Sequence, residues 1–267
     1  MSYATIVTTL RAAGCVFAED EADLLVATAT TPEQLAAMVG RRAEGFPLEH
    51  VLGWAGFCGL RITVTAGVFV PRRRTEFLAG QAAALLRPDG VALDLCCGAG
   101  AVAAVLAVAA PGAELHAADL SPAAVDCARS NLPPTAQLHR GDLYAPLPPG
   151  LRGRITVLVA NAPYVPTDAI PFLPSEARDH EPRFTLDGGA DGLAVQRRVI
   201  AGAPHWLAPG GRLLIETSTR QAPGTAAAMA AHGLTVELRT SEDHDATVAI
   251  GTLPDRPDRQ LGRLVTS

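Results

Sequence analysis

This sequence contains no lysine, and all 22 of its basic residues are arginine. Aspartate and glutamate number 27, which leaves a net charge of −5 at pH 7, and the arginines form no dense basic stripe. Because contacts with phosphates dominate nucleic-acid affinity, this charge argues against stable nucleic-acid binding.

Long apolar runs are also missing. No stretch is apolar over the length needed to span a membrane, so we expect no membrane association. The first residues lack a basic leader followed by an apolar block, which is the mark of a secretory signal. We therefore expect a cytoplasmic protein.

The sequence contains few cysteines, and their spacing does not suggest pairs. The five cysteines form no C-x-x-C pair, and their number is odd; they are Cys15, Cys58, Cys96, Cys97 and Cys127. This pattern argues against a disulfide framework and against a zinc site. We expect reduced thiols and no metal.

The chain divides into four parts by composition. Residues 1–45 are predicted to be a small helical domain, in which Thr31 caps a helix that Pro32 opens. Residues 46–76 combine β-branched alternation with glycines, which predicts a hairpin and linker. Residues 77–253 are predicted to be the main domain, and the polar tail at 254–267 to be loose.

From residue 90, seven apolar strand segments alternate with helical ones. This alternation predicts an α/β fold, with a doubly wound, mostly parallel sheet covered by helices on both faces. A short polar loop joins the last two strands, so the final strand is expected to run antiparallel.

A glycine-rich turn follows the first strand of this domain. The segment from Asp94 to Gly100, DLCCGAG, opens a helix, and Asp119 ends the next strand. Glycines let backbone approach a ligand at the helix N-terminus, and a carboxylate at Asp119 could accept both hydroxyls of a ribose. The pattern D-x-C-x-G-x-G differs from the dinucleotide fingerprint and better suits a nucleoside that carries an amino-acid tail.

Asp142 ends the third strand, in the segment HRGDL. Asp142, or the backbone of Leu143, is placed to meet an adenine edge. The alternative is a turn carboxylate that caps local N–H groups, and the sequence alone does not separate the two.

The fourth strand ends at the corner from Asn161 to Tyr164, NAPY. The Asn161 side chain offers one oxygen acceptor, and the carbonyl of Ala162 is held by the stiff Ala-Pro step. Two acceptors this close match the two N–H donors of a planar NH₂ group. An ordinary strand-to-loop turn is the alternative, but the position behind the glycine-rich turn favours the amide clamp.

These motifs resemble those of the class I methyltransferases that use S-adenosylmethionine, and the N-x-P-Y corner resembles their amino-group methylating branch. Two longer segments, Pro47 to Glu76 and His180 to Ile200, resemble the protein-(glutamine-N5) methyltransferases that modify peptide-chain release factors. The resemblance covers roughly residues 45–250. It implies a methyltransferase domain at 77–253, and a substrate-recognition role for residues 1–45.

The resemblance also implies roles for individual residues. The glutamine side chain of a Gly-Gly-Gln loop would be held by Asn161, Ala162, Pro163 and Tyr164, with Phe57 walling the pocket or packing in the core. S-adenosylmethionine would be bound by Asp94, Cys96, Cys97, Gly98, Ala99, Gly100, Asp119, Leu120, Asp142, Leu143 and Asn161, with Arg72 and Thr75 nearby. We expect Arg73 and Arg74 to be solvated linker residues.

The sequence departs from the family pattern at three places. Ala162 stands where the family usually has proline, and its carbonyl can still accept a hydrogen bond. Cys96 stands at a usual glycine, and the helical part before Pro47 is shorter than in the family.

Two other functions stay open at this point. Methyltransferases that act on amino groups of nucleic acids or small molecules share the corner motif, although they need a basic face or an added domain. A cofactor-binding regulator without catalysis is the other, against which the intact Asn161 and Tyr164 argue.

Overall fold

The computed structural model describes residues 1–255. The loose tail predicted at 254–267 lies outside the described residues, apart from its first two positions. Within the described chain, no helix combines the length and apolarity that crossing a membrane requires.

The first 52 residues form four helices: α1 (Tyr3–Ala12), α2 (Ala18–Thr28), α3 (Pro32–Ala43) and α4 (Leu48–Leu52). Thr31 caps α3 by accepting the backbone N–H of Gln34, and Pro32 opens the helix, as predicted. The apolar faces of these helices share one cluster, which includes Ile6, Leu10 and Leu25.

The segment predicted as a hairpin linker is only partly a hairpin. Strands β1 (Trp54–Phe57) and β2 (Leu60–Thr63) pair antiparallel, but α4 precedes them, and α5 (Thr75–Leu85) already begins before residue 76. The helical turn of α4 ends at Gly53, whose φ of 81° suits a left-handed helix cap.

Seven strands form the main sheet: β3 (Val91–Leu95), β4 (Glu114–Asp119), β5 (Gln137–Arg140), β6 (Ile155–Ala160), β7 (Leu207–Thr217), β8 (Thr235–Ser241) and β9 (Ala246–Thr252). Their order is β5-β4-β3-β6-β7-β9-β8. Only β9 runs antiparallel to its neighbours β7 and β8, so the predicted sheet with an antiparallel last strand is confirmed.

Five helices follow α5: α6 (Ala101–Ala109), α7 (Pro122–Asn131), α8 (Ser175–His180), α9 (Ala194–Gly202) and α10 (Ala222–Ala231). Helix α9 has nine residues. It ends at Gly202, and a 3-10 turn with Pro204 follows, because proline cannot continue the backbone hydrogen bonds.

The central strands are buried on both faces, as a parallel sheet between two helical layers requires. Along β6, Val157 and Val159 join one apolar cluster with α5, α6 and α7, whereas Leu158 and Ala160 join another with α9 and α10. The chain winds outward from β3 to β5 and then returns to β6. The carboxyl ends of β3 and β6 therefore flank the crevice where such sheets bind ligands.

Candidate active site

A cavity of about 420 Å³ opens at the carboxyl ends of β3, β4 and β6. Sixteen of the residues predicted from the sequence line it: Phe57, Arg72, Thr75, Asp94, Cys96, Cys97, Gly98, Ala99, Asp119, Leu120, Asp142, Leu143, Asn161, Ala162, Pro163 and Tyr164. The fold thus brings the glycine-rich turn, both strand-end acids and the Asn161 corner to one place.

Gly100 is the predicted cofactor residue that the cavity does not include. A Cβ at Gly100 would lie 3.0 Å from the Ala128 Cβ on α7, and its φ of 77° is left-handed. This glycine therefore permits close packing of α6 against α7, and its assignment to ligand binding stays a prediction.

The turn itself holds two further residues with positive φ. Cys96 has a φ of 58° and Gly98 a φ of 53°. A left-handed backbone disfavours any Cβ, which explains why glycine is usual at the position of Cys96. A Cβ added at Gly98 would meet nothing within 4 Å, so the backbone of the turn faces open space.

Asp94 lies at the base of the cavity and is 2 % exposed. Its Oδ2 accepts the backbone N–H of Ala103 at 3.1 Å, which ties the carboxylate to the first turn of α6. Burial raises the pKa of Asp94 to about 7, and the charge of Asp119 adds to the rise. A cationic ligand would stabilise the ionised form of a buried acid of this kind.

Asp119 is fixed by the backbone on both sides. Its Oδ2 accepts the N–H of Gly98 at 2.9 Å, and its Oδ1 accepts the N–H of Ser121 at 2.8 Å. Burial raises the pKa of Asp119, and these N–H groups oppose the rise. Each oxygen keeps a second lone pair, so a pair of hydroxyl groups can still be bound.

Asp142 stands at the rim and forms an ion pair with Arg198 of α9, at 2.6 Å. Both side chains are more than half exposed. The next residue, Leu143, has a φ of 48° and turns the backbone into the cavity wall. Sequence analysis missed Arg198, which contacts this loop from 56 positions away.

At the corner after β6, the Asn161 Nδ2 donates to Thr75 Oγ1 at 3.1 Å. Among the described residues, no group donates to Asn161 Oδ1 or to the carbonyl oxygen of Ala162. Both residues line the cavity, and Ala162 is 1 % exposed.

Tyr164 is anchored by groups that sequence analysis did not identify. Its hydroxyl donates to Oε1 of the buried Glu216 at 3.1 Å and lies 3.4 Å from Arg74 Nη1. Gln221 Nε2 donates to the Tyr164 carbonyl at 2.9 Å. Arg74, expected to be a solvated linker residue, is exposed and also lines the cavity beside Tyr164.

Phe57 is both core and cavity wall, since it is 1 % exposed and also lines the cavity. Arg72 is held by the side chain of Glu181 at 2.5 Å, and Glu181 also accepts the N–H of Val70. Glu181, which lies in the segment after the Asn161 corner, thus holds the linker residues Val70 and Arg72.

Within residues 1–255, no cluster of histidine, cysteine, aspartate or glutamate is arranged to hold a metal ion. Burial raises the pKa of the Cys96 and Cys97 thiols well above their ordinary value, which disfavours the reactive thiolate.

Comparison with known proteins identifies related chains. A profile of the methyltransferase small domain matches residues 60–170. The release factor glutamine methyltransferase of Mycolicibacterium smegmatis is 40% identical over 227 residues, which are 78% of this chain and 80% of the relative. That of Geobacter sulfurreducens is 38% identical over 197 residues, covering 72% of this chain and 68% of the relative.

A solved methyltransferase structure from Pyrococcus furiosus shares the fold. It superposes with a TM-score of 0.56 at 15% sequence identity, covering 82% of this chain and 98% of that one. The likeness concerns the fold alone and agrees with the class I methyltransferase sheet described above.

The cavity fits S-adenosylmethionine, the cofactor of these enzymes. Asp94 supplies a buried acid for a positively charged ligand, and Asp119 offers lone pairs for ribose hydroxyls. The open space at Gly98 leaves room for a ligand against the turn. With this fold, this cavity and relatives of up to 40% identity along most of its length, the chain belongs to the release factor glutamine methyltransferase family.

Proposed function

We propose that this protein methylates N5 of a glutamine side chain in a peptide-chain release factor, within a Gly-Gly-Gln loop. The observation that carries the proposal is the Asn161 corner. Because the Asn161 amide nitrogen is committed to Thr75, its oxygen is left for a ligand, next to the Ala162 carbonyl. These two acceptors match the two N–H groups of a primary amide.

An amide nitrogen is a poor nucleophile, since its lone pair is delocalised into the carbonyl. Asn161 and Ala162 would accept its N–H groups and favour the positive charge that builds up on nitrogen during methyl transfer. Holding the nitrogen in line adds the advantage of proximity and orientation, which reaches ~7–11 kcal/mol in the best intramolecular systems.

S-adenosylmethionine supplies a methyl group made electrophilic by its sulfonium sulfur. We assign the ribose to Asp119 and Leu120, and the amino-acid part to Asp94 and the turn from Cys96 to Ala99. Asp142 and Leu143 would border the adenine, while Phe57, Arg72 and Thr75 complete the wall.

We further propose that residues 1–45 recognise the protein substrate, that residues 46–76 connect them to the methyltransferase domain at 77–253, and that the reaction takes place in the cytoplasm. The turn between α1 and α2 carries exposed apolar side chains, Val16 and Phe17, that are available for contact with a protein. Arg42 of α3 also reaches Glu176, a residue of the cavity wall.

The test is to incubate purified protein and S-adenosylmethionine with unmethylated release factor and to measure its intact mass. A gain of one CH₂ unit, located by fragmentation at the glutamine of the Gly-Gly-Gln loop, is expected. Parallel incubations with tritium-labelled cofactor and DNA or RNA should transfer no label. Label on nucleic acid and none on the release factor would overturn the proposal.

A further inference from the structure

Asn131, the last residue of α7, bonds the hairpin and the glycine-rich turn at once. Its Oδ1 accepts the backbone N–H of Thr63 in β2 at 2.8 Å, and its Nδ2 donates to the Thr63 carbonyl at 2.9 Å. The same Nδ2 donates to the carbonyl of Ala99 at 2.8 Å. Sequence analysis did not identify Asn131, and the proposed reaction makes no use of it.

The orientation of this side-chain amide is fixed by its partners. A backbone N–H can only donate, so the Asn131 atom that faces the N–H of Thr63 must be the oxygen. The nitrogen then faces the two carbonyls, and each of its two hydrogens has an acceptor, one on Thr63 and one on Ala99. The carbonyl of Cys127 is farther from it, at 3.4 Å. Asn131 therefore joins the hairpin strand to the glycine-rich turn.

The carbonyl of Ala99 has no partner in the backbone. The first bond of α6 runs from the N–H of Ala104 to the carbonyl of Gly100, one residue after Ala99. Among the described residues, no backbone N–H donates to the Ala99 oxygen. Ala99 is 2 % exposed, and a buried carbonyl without a donor is costly. Asn131 supplies the donor that the helix end lacks.

Three side chains thus hold the backbone around this turn. Asp119 accepts the N–H of Gly98, and Asp94 accepts the N–H of Ala103, while Asn131 takes the one carbonyl of the set. The two acids line the cavity, where a ligand competes for their oxygens, whereas Asn131 is not among the lining residues. Asn131 therefore fixes the turn without occupying space that a ligand needs.

We propose that Asn131 is a positioning residue that holds the turn from Cys96 to Ala99 in the conformation that binds S-adenosylmethionine. It acts through the Ala99 carbonyl. This inference rests on the proposed function, because that function assigns the turn to the amino-acid part of the cofactor.

The test compares Asn131→Asp with Asn131→Ala. Aspartate keeps an acceptor for the N–H of Thr63, but an ionised carboxylate has no hydrogen to donate and sets a negative oxygen against the Ala99 carbonyl. Alanine removes both functions and leaves room for water. The dissociation constant of S-adenosylmethionine is measured by calorimetry on the purified protein without release factor. We expect it to rise about 10- to 100-fold in Asn131→Asp and less in Asn131→Ala.

Cys127→Ala is the matched control for the hairpin contact. Cys127 lies one turn earlier on α7, is 3 % exposed, and its Sγ donates to the Thr63 carbonyl at 3.2 Å, without a hydrogen bond to Ala99. This variant should keep the wild-type dissociation constant. Urea unfolding of the three variants separates stability from affinity, since a less stable protein has a smaller folded fraction but the same affinity in that fraction.

Steady-state kinetics give a second measurement. In the Asn131 variants, KM for S-adenosylmethionine should rise while KM for the release factor changes far less, because the Asn161 corner has no hydrogen bond to Asn131. A purely structural loss would lower the active fraction and leave both KM values unchanged.

Wild-type cofactor affinity in both Asn131 variants would overturn the inference. So would an equal loss in Cys127→Ala, or a smaller loss in Asn131→Asp than in Asn131→Ala, which would place the effect at the Thr63 N–H. If Asn131→Asp does not fold, unchanged affinity in Asn131→Ala decides against the inference. A wild-type protein that binds S-adenosylmethionine but methylates no release factor would refute the proposed function alone, so the two failures are distinguishable.

Discussion

At the scale of single residues, Asp94 makes stability depend on pH. Its pKa in the folded protein is about 7, against an ordinary value of 3.8. The raised pKa means that the folded state prefers the protonated acid. The stabilisation from Asp94 is thus fully present below the ordinary pKa and is lost as pH rises through about 7.

In the cofactor-free protein, Asp94→Asn should therefore reduce the loss of stability that occurs as the pH rises from 3.8 to about 7. The measurement is the free energy of unfolding by urea at several pH values, with the exposed Asp243→Asn as control. A variant at Asp94 whose pH dependence matched that of the wild type would show that this carboxyl is not the group responsible.

The grouping of the site residues was predictable where these residues lie in short stretches of sequence. The Asp94 turn, Asp119 and the Asn161 corner each occupy one strand end, and parallel strands bring such ends together. Glu216 and Arg74 were missed because their contacts to Tyr164 join positions 52 and 90 residues apart. The one signal was a carboxylate directly after the apolar run LLI in the strand segment GRLLIET.

At the scale of elements, the segment after the corner depends on Gly192, which precedes α9. Gly192 has a φ of 75°, and a Cβ there would collide with Gln221 Nε2 and with the carbonyl oxygen of Tyr164. These are the two atoms whose hydrogen bond fastens Tyr164 to the start of α10. The glycine is thus required by close packing as well as by backbone conformation.

Gly192→Ala should lower the free energy of unfolding by several kcal/mol and reduce methyl transfer, since Tyr164 must shift. Gly233→Ala is a matched control, because its φ of 80° is equally left-handed but its added Cβ meets nothing within 4 Å. The control should lose only the stability that a Cβ costs in a left-handed backbone conformation, roughly 1 kcal/mol. Equal losses in the two variants, measured by urea unfolding, would contradict the packing argument.

Element boundaries were less predictable than element types. The pattern of residues 46–76 indicated a hairpin, but α4 occupies Leu48–Leu52, a stretch too short for helical periodicity to be recognised. Likewise, Gly100 was interpreted as a ligand residue from its place in the motif. Its close approach to α7, which also calls for a glycine, is visible only in the structure.

At the scale of the whole molecule, Arg42 joins the N-terminal helices to the methyltransferase domain. It is 7 % exposed and bonds Glu21 at 2.6 Å, Glu176 of α8 at 2.7 Å and the carbonyl of Phe46 at 3.1 Å. Because Glu176 lines the cavity, this one guanidinium links the proposed recognition helices to the active site.

Arg42→Met should destabilise the protein by about 3–5 kcal/mol, since it leaves the largely buried carboxylate of Glu21 without its partner. Arg11→Met removes an exposed pair with Glu19 in the same helical region and should cost only about 0–1 kcal/mol. Urea unfolding of the two variants provides the comparison. A loss at Arg42 no larger than that at Arg11 would show that the buried link contributes little.

The central claim is that Asn161 and the Ala162 carbonyl hold the substrate amide, and that this role outweighs any contact of Asn161 with the cofactor. Its most direct test is Asn161→Ala, assayed for single-turnover methylation of release factor and, in parallel, for affinity for S-adenosylmethionine. The account predicts that methyl transfer falls by about 100- to 1,000-fold, the size known for loss of one preorganised group at a reacting centre, whereas cofactor affinity falls far less. Unchanged methyl transfer, or an equal loss of both quantities, would contradict it.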